Sequence, residues 1–376
     1  MAQTRRRKTK YHYRMPDLSV GYQAALNSFK KFLKELYTNG SITSEKKQIL
    51  NINIIDAIGT GFESIEDIED RFQSNEECKE FLEDLLWENK IPSSPYAPSS
   101  KVYKCRDGWY KCKNTGKEFN ILTGTLFQGT KIELKIWFKL IYRMYSTKGG
   151  VASVLVADNY EITQASAWYM QQKIGYLMGL IENFHKVGGE GKIVETDEYY
   201  DGGSYKNMHY DKKLKAKKEL YGNKKPLQCC VERNGNAVIR AISDTTEGTI
   251  NGGILKYTKQ GSTLYTDDNP SYKKLPPLYK RGSVVHSKGN YVDKDNPNIH
   301  TNNAESLWST HKKTVEPHVH ISKKHEQNYA NRTVFRFNAR KMTSEDATIW
   351  FLQNIQGSKI TRKEIIEGRH NLRQAA

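Results

Sequence analysis

Apolar positions along the chain follow two rhythms. Up to residue 182 they recur every three to four residues, as in SVGYQAALNSFKKFLKELY (19–37) and NEECKEFLEDLLWENK (75–90), which predicts amphipathic helices. IGTGFESIED reads as a connection between them, and the prolines and serines of IPSSPYAPSS (91–100) break any helix and suggest a joint. Short strand-like pieces follow in KVYKCRDGWYKCKNTGKEFNILTGT. Residues 132–182 then return to helices, interrupted at Gly149-Gly150 and at Thr163. That order suits a helix-turn-helix whose last helix carries Gln164, Ser166 and Tyr169 toward a groove, although many three-helix packings read the same way.

After residue 190 the period shortens to that of strands. GKIVETDEYYDGG holds a β-prone run ending at Asp197, and CCVERNGNAVIRAISD is a hairpin turning at Asn234-Gly235. STLYTDDNPSY is a further strand, closed by Asp267 and Asp268. In HTNNAESLWSTHKK (300–313) Ala304, Leu307, Trp308 and His311 share one helical face, while Glu305, Ser309 and Lys312 line another. Asn302 and Glu305 stand at capping-box spacing, the structural explanation of that acid. A helical tail runs from His325 to Asn354.

Lysine and arginine (59) outnumber aspartate and glutamate (42), leaving a net charge of +17. Such a field attracts phosphate backbones, which makes nucleic acid the leading partner. The basic arm with Arg5, Arg6 and Arg7, and the lysine block 204–225 with Lys206, Lys212 and Lys213, read either as solvated segments or as tracks for a DNA backbone. No apolar run reaches 18 residues and the mean hydropathy is −0.75, so no membrane span or membrane partner is expected. The N-terminus lacks the apolar core of a signal peptide, and five cysteines make no disulfide framework, so the chain is read as intracellular with reduced thiols.

Asp197 and Asp267 both follow apolar β residues, which would bring their carboxylates to one rim of a sheet. Two acids there repel, and a divalent ion with hard oxygen ligands resolves the repulsion. If the apolar face of the 300–313 helix packs on that sheet, Glu305 arrives at the same rim, with Lys312 two turns on to hold a phosphate. Two strand acids and a helix acid are what a two-metal phosphoryl-transfer site needs.

On VETDEYYDGG (194–203), LYTDDNPSY (264–272), VVHSKGNYV (284–292), HTNNAESLWSTHKK (300–313) and YANRTVFRFNAR (329–340), the sequence resembles DDE transposases of bacterial insertion sequences, in the branch whose eukaryotic relatives are called Merlin elements. The resemblance covers about residues 73 to 340. It implies an α/β chain: an RNase H-like catalytic domain, a mixed sheet with flanking helices, preceded by an α-helical DNA-binding region with a degenerate zinc-ribbon-like module. The expected divisions are a basic arm (1–15), a helical region (16–92), the ribbon-like module (93–130), a helix-turn-helix-like region (131–188), the catalytic domain (189–345) and a tail (346–376). By that likeness Asp197, Asp267 and Glu305 are the catalytic triad, holding two Mg2+ (or Mn2+) ions, and Lys312 is the lysine that follows. Asp268 sits where relatives usually have glycine.

Relatives carry two CxxC pairs in the ribbon, whereas here SPYA (94–97) and CKNT (112–115) keep only Cys112. No zinc is expected, and packing of Tyr103, Trp109, Tyr110 and Phe119 is expected to hold the module instead. His286, Lys288 and His300 lie in matched motifs and read as DNA contacts or as hydrogen-bonded neighbours. Asn302 reads as cap, metal-shell ligand or DNA contact, Trp308 as core, and Asp201 as the shaper of a turn. The implied activity is transposition: binding terminal inverted repeats, hydrolysing a strand to free a 3′-OH, and joining it to target DNA, in a homodimer or larger assembly. The bacterial setting would be nucleoid-associated cytoplasm and the eukaryotic one the nucleus. A domesticated, non-cleaving DNA-binding protein and a structure-selective nuclease are the alternatives.

Overall fold

The computed structural model describes residues 62–182, 186–202, 209–211, 213–214, 224–284, 296–318 and 321–368. The chain separates into two units, Met1–Thr60 and Gly61–Ala376, and every described residue belongs to the second. Arg5, Arg6, Arg7, Lys206, Lys212, His286, Lys288 and the helix expected at 19–37 lie outside the described residues.

Helices α1 (Ile65–Arg71) and α2 (Asn75–Leu86) begin at serine caps, where Ser64 and Ser74 accept from the backbone N–H of Asp67 and Glu77. Their apolar faces pack on α3 (Leu134–Ser146), with the Phe72 ring 5.3 Å from Phe81 and 5.2 Å from Phe138. The end of the expected 16–92 region therefore shares its core with the helices that follow the joint.

Between them lies a three-stranded antiparallel sheet of β1 (Val102–Arg106), β2 (Trp109–Cys112) and β3 (Glu118–Phe119). Phe119 is fully buried, with Tyr110 5.9 Å away and Trp87 packed edge-on to Tyr110 at 5.3 Å. The expected aromatic set needs one correction, since Tyr103 is 49% exposed and Trp87 supplies the missing ring. β1 has a polar burial pattern because the module is too small to cover both faces of its sheet. Ser94, Ala97, Cys112 and Thr115 stand where the expected zinc-ribbon-like module would carry its CxxC pairs. There the hydroxyls of Ser100, Ser94 and Thr115 hold the Cys112 thiol down to about 6.

Helices α4 (Ser153–Tyr160) and α5 (Gln164–Glu182) follow α3 as the sequence pattern predicts. The left-handed Glu161 (φ 53°) turns the chain, and Thr163 Oγ1 accepts from the Ser166 N–H at 3.2 Å. Most of α5 is buried against the later helix α8 (Glu326–Asn338), so it is a core helix with an exposed first turn.

The second rhythm builds a five-stranded mixed sheet, in the order β10-β9-β5-β6-β7, from β5 (Ile193–Asp201), β6 (Lys225–Glu232), β7 (Ala237–Ala241), β9 (Thr263–Asp267) and β10 (Lys280–Val284). β6 is antiparallel to β5 and β7, while β9 is parallel to β5 and β10. β4 (Val187–Gly188) and β8 (Thr258–Lys259) form a short parallel pair beside it. The β6–β7 hairpin turns at Asn234-Gly235 as expected, with Asn234 in the left-handed region (φ 59°).

Alternation sorts the sheet's side chains. Val194, Cys230, Val238 and Leu264 face helix α6 (Glu247–Tyr257). Leu227, Cys229, Val231, Ala237 and Ile239 face α7 (Asn302–Val315) and α8 (Glu326–Asn338) through Ala304, Leu307, Trp308, Ala330 and Val334. Helices α9 (Ser344–Gln353) and α10 (Arg362–Glu367) close the fold. The expected tail thus contains a core helix: Phe351 of α9 is fully buried and Trp350 stacks on Phe335 at 5.0 Å. Among the described residues no helix is long and apolar enough to cross a membrane.

The α5–α8 crossing is closest at Gly175. A Cβ there would stand 1.8 Å from Asn328 Oδ1 and 2.8 Å from Arg332 Nε. Asn328 cannot turn aside, because its Nδ2 donates to the Gln172 carbonyl at 2.9 Å in a buried site. Gly175→Ala is therefore expected to destabilise the protein by about 1–3 kcal/mol, the scale of core overpacking, despite alanine's better helix propensity. The unfolding midpoint in urea checks the sign.

Candidate metal centre at the diverging strand ends

Glu195, Asp197, Tyr199 and Asp201 share the face of β5 that looks toward α7. Glu195 is fully buried, and its carboxylate accepts from the backbone N–H of Asn303 (2.7 Å) and Ala304 (3.2 Å) and from Asn303 Nδ2 (2.8 Å). Arg233 Nε donates to it at 2.7 Å, and Arg233 also reaches the ring and carbonyl of His300. An acid at a helix N-terminus satisfies N–H groups that have no partner within the helix and complements its dipole. The expected Asn302–Glu305 capping box is not formed: Thr301 is the N-cap, it makes no side-chain cap hydrogen bond, and Asn302 is the first helical residue. Glu195 satisfies these N–H groups instead.

Two residues along β5, Asp197 Oδ2 accepts from Trp308 Nε1 at 3.1 Å. Trp308 is thus core, as expected, and also a hydrogen-bond donor to the first candidate acid. Asp197 is not at the end of its strand, since β5 pairs with β6 as far as Asp201 opposite Lys225. On its other edge the β5–β9 ladder ends at Glu195 opposite Tyr265, two residues before Asp197 and Asp267. The strands part beyond that point, so the sequence-expected rim exists on one edge only.

Into this opening come Asp197, Glu198 and Asp267, whose nearest ligand atoms all lie within 4.8 Å of one another. Asp267 Oδ1 accepts from the Asn269 N–H at 3.1 Å. Glu198, on the opposite strand face, accepts from the Tyr272 hydroxyl and from Asn269 Nδ2 (3.3 Å). Burial pushes Glu198 up to about 7, with Asp267 and Asp197 adding to the push while the Tyr272 bond opposes it. Three carboxylates in one partly buried opening fit a hard divalent cation, which offsets their repulsion and leaves open positions for water. Sequence reasoning missed Glu198; its adjacency to Asp197 was the available signal, but strict alternation sent it to the other face.

The other expected residues are placed as follows. Glu305 is exposed on α7, one turn before Trp308, and is outside the three-carboxylate group. Lys312 is exposed further along α7, with its ammonium 5.3 Å from the Tyr199 ring. Asp268 is exposed and also outside the group. His300 is tied into the Glu195–Arg233 network, and Asn302 is exposed at the start of α7. Gln164 is exposed on the first turn of α5, whereas Tyr169 is half-buried beside Tyr176, Ile360 and Ile365 with the Lys173 ammonium 5.0 Å from its ring. Lys213 is partly buried, and its N–H donates to the His209 carbonyl.

Residues 187–338, which contain this sheet, its acids, α7 and α8, match the ISXO2-like transposase domain. Over those residues the chain is similar to insertion-sequence transposases. The chain is also 25% identical over 269 residues to an uncharacterized protein in transposable element ISH50 of Halobacterium salinarum, covering 67% of this chain and 87% of that protein. No solved structure matches. The mixed sheet with flanking helices is consistent with an RNase H-like transposase domain.

Two outcomes test this geometry. Glu195→Ala leaves the Arg233 charge and two helix N–H groups without their buried partner, and is expected to cost about 3–5 kcal/mol in urea unfolding. Because Glu198 titrates higher in the folded state than the ordinary 4.5, its contribution to stability is present below 4.5 and lost as pH rises to about 7. Glu182 and Glu326, each pushed up by burial to about 8, act in the same direction. Glu198→Gln should therefore flatten part of the fall in unfolding midpoint between pH 4.5 and 7, leaving the rest.

Proposed function

We propose that this chain is a DNA transposase that binds the terminal inverted repeats of its element, hydrolyses a strand to free a 3′-OH, and joins that end to target DNA. The observation that carries this reading is the meeting of Asp197 and Asp267 where β5 and β9 diverge, on the side of the sheet where α7 presents Glu305. The match of residues 187–338 to the ISXO2-like transposase domain supports it, as does the likeness to a protein of a transposable element.

In this reading Asp197, Asp267 and Glu305 hold two Mg2+ or Mn2+ ions. Bound there, the ions supply Lewis acidity toward a scissile phosphate and lower the pKa of an attacking water or 3′-hydroxyl. The chain's own groups do the positioning. Trp308 fixes the Asp197 carboxylate, and the Glu195–Arg233 pair fixes the start of α7, so Glu305 is presented from a helix that cannot slide along the sheet. Glu198, held by Tyr272 and Asn269, adds negative charge that favours cation entry. Lys312 stands on the exposed side of α7, available to a phosphate.

DNA is met by the net charge of +17. The proposed contacts are Arg5, Arg6, Arg7, Lys206, Lys212, Lys213, His286, Lys288 and Asn302, with Gln164 at the exposed turn of α5. Tyr169 and His300 support the surface from behind, given their packing. Two ends must be brought together for joining, so a homodimer or larger assembly is proposed, acting at the nucleoid of a bacterium or in a eukaryotic nucleus.

Mg2+-dependent nicking of duplex DNA carrying the element's end sequence tests the reading. Asp197→Asn, Asp267→Asn and Glu305→Gln should each reduce it by about 1,000-fold, the scale of a lost electrostatic contact in the transition state. Glu198→Gln should keep nicking but require more Mg2+. End binding without nicking would favour the domesticated DNA-binding protein, and cutting of branched DNA lacking the repeats would favour the structure-selective nuclease.

A further inference from the structure

A second group of ligating side chains lies on the same sheet face, four residues further along β5 from Asp197 and so about 13 Å away at the rise of a strand. Asp201, His311 and Glu326 each bring a ligand atom to within 4.8 Å of the others. They come from three elements: the end of β5, the middle of α7 and the first residue of α8. None belongs to the Asp197–Glu198–Asp267 group, and Tyr199 stacked on Trp308 (5.3 Å) lies between the two.

The histidine is prepared as a ligand. His311 is fully buried, and its Nδ1 lies 3.0 Å from Thr333 Oγ1. That hydroxyl spends its own proton on the Tyr329 carbonyl at 3.3 Å, so it accepts from His311 and fixes the proton on Nδ1. Nε2 is left with a lone pair and no hydrogen-bond partner. A second-shell oxygen that selects the tautomer in this way is the usual companion of a metal-bound imidazole. Burial drives His311 down to about 4, which keeps the ring neutral at physiological pH.

The two acids lie against each other. Glu326 is 1% exposed; its Oε2 receives the Lys225 ammonium at 2.7 Å, and its carboxyl group shares a side-chain hydrogen bond with the Asp201 carboxyl. Asp201 Oδ1 accepts from the Gly202 N–H at 2.9 Å, and its Oδ2 is 3.8 Å from Lys225 Nζ. Lys225 is also engaged by the Ile321 carbonyl at 2.8 Å. One lysine facing two carboxyl groups balances a single negative charge, so the pair either shares a proton or takes up a cation in its place.

We infer that Asp201, His311 and Glu326 form a second, structural site for a divalent transition-metal ion, one that clamps α7 and α8 to the end of β5. One imidazole and two carboxylates suit Mn2+, Fe2+ or Zn2+ better than Mg2+, which prefers an all-oxygen shell. The site uses none of the proposed catalytic acids and stands whether or not the chain cuts DNA.

Mn2+ bound to the full-length protein, read by pulsed electron paramagnetic resonance, tests it, because a directly coordinated imidazole gives 14N modulation that an all-carboxylate site does not. The signal should appear in the wild type and in Asp267→Asn, and disappear in His311→Gln. Asp201→Asn should retain the fold by circular dichroism while weakening the nitrogen-coordinated Mn2+ at least tenfold, which keeps the test decisive if His311→Gln does not fold. Absence of 14N modulation at saturating Mn2+ would overturn the inference and leave a proton shared between Asp201 and Glu326. Persistence of the signal in folded His311→Gln, or unchanged affinity in Asp201→Asn, would overturn it equally.

Discussion

The Glu195 carboxylate is the contact on which the geometry of the domain depends. A fully buried charge is tolerated only when its oxygens are fully engaged, and here two helix N–H groups, an asparagine amide and an arginine engage them. Because the donors come from the first turn of α7, the helix is set in both height and rotation against β5. Trp308 then meets Asp197 one and a half turns later, a contact that a helix displaced by one residue would lose.

The second constraint is where the sheet stops. Parallel β5 and β9 are paired up to Glu195 and Tyr265 and then separate, while antiparallel β6 continues to support β5 on its other edge. Asp197 consequently sits on a strand that is rigid along one side and open along the other. Rigidity fixes the carboxylate, and the opening lets Asp267 and Glu198 approach it from both sheet faces. The raised titration of Glu198 follows first from its burial and then from the nearby Asp267 and Asp197.

Much of this was legible in the residues. The turn at Asn234-Gly235, the amphipathic α7 with its Ala304, Leu307, Trp308 face, and the meeting of Asp197 with Asp267 all follow from local periodicity. The misreadings have one physical origin: polar groups whose partners are far away in sequence. Glu195 displaces the local capping box from a strand 108 residues upstream of Asn303. Trp308 looks like plain core until its indole edge finds Asp197. Gln171, Gln172 and Lys173 give α5 the polarity of a surface helix, yet all three are buried, and Gln172 and Gln171 lend their carbonyls to Asn328 and Arg332 of α8. Periodicity reports which side chains are apolar, not which polar ones have found a companion in the interior.

That polar seam between α5 and α8 carries a mechanical consequence. Among the described residues, the exposed first turn of α5 is tied to α8 and the sheet through side chains that leave no room at Gly175. A duplex gripped at that turn would meet the acids of β5 at a span dictated by the protein's own dimensions. If the proposed DNA contact at α5 and the proposed chemistry on β5 act on one duplex, the offset between them is a fixed ruler length, insensitive to the base composition of the DNA in between.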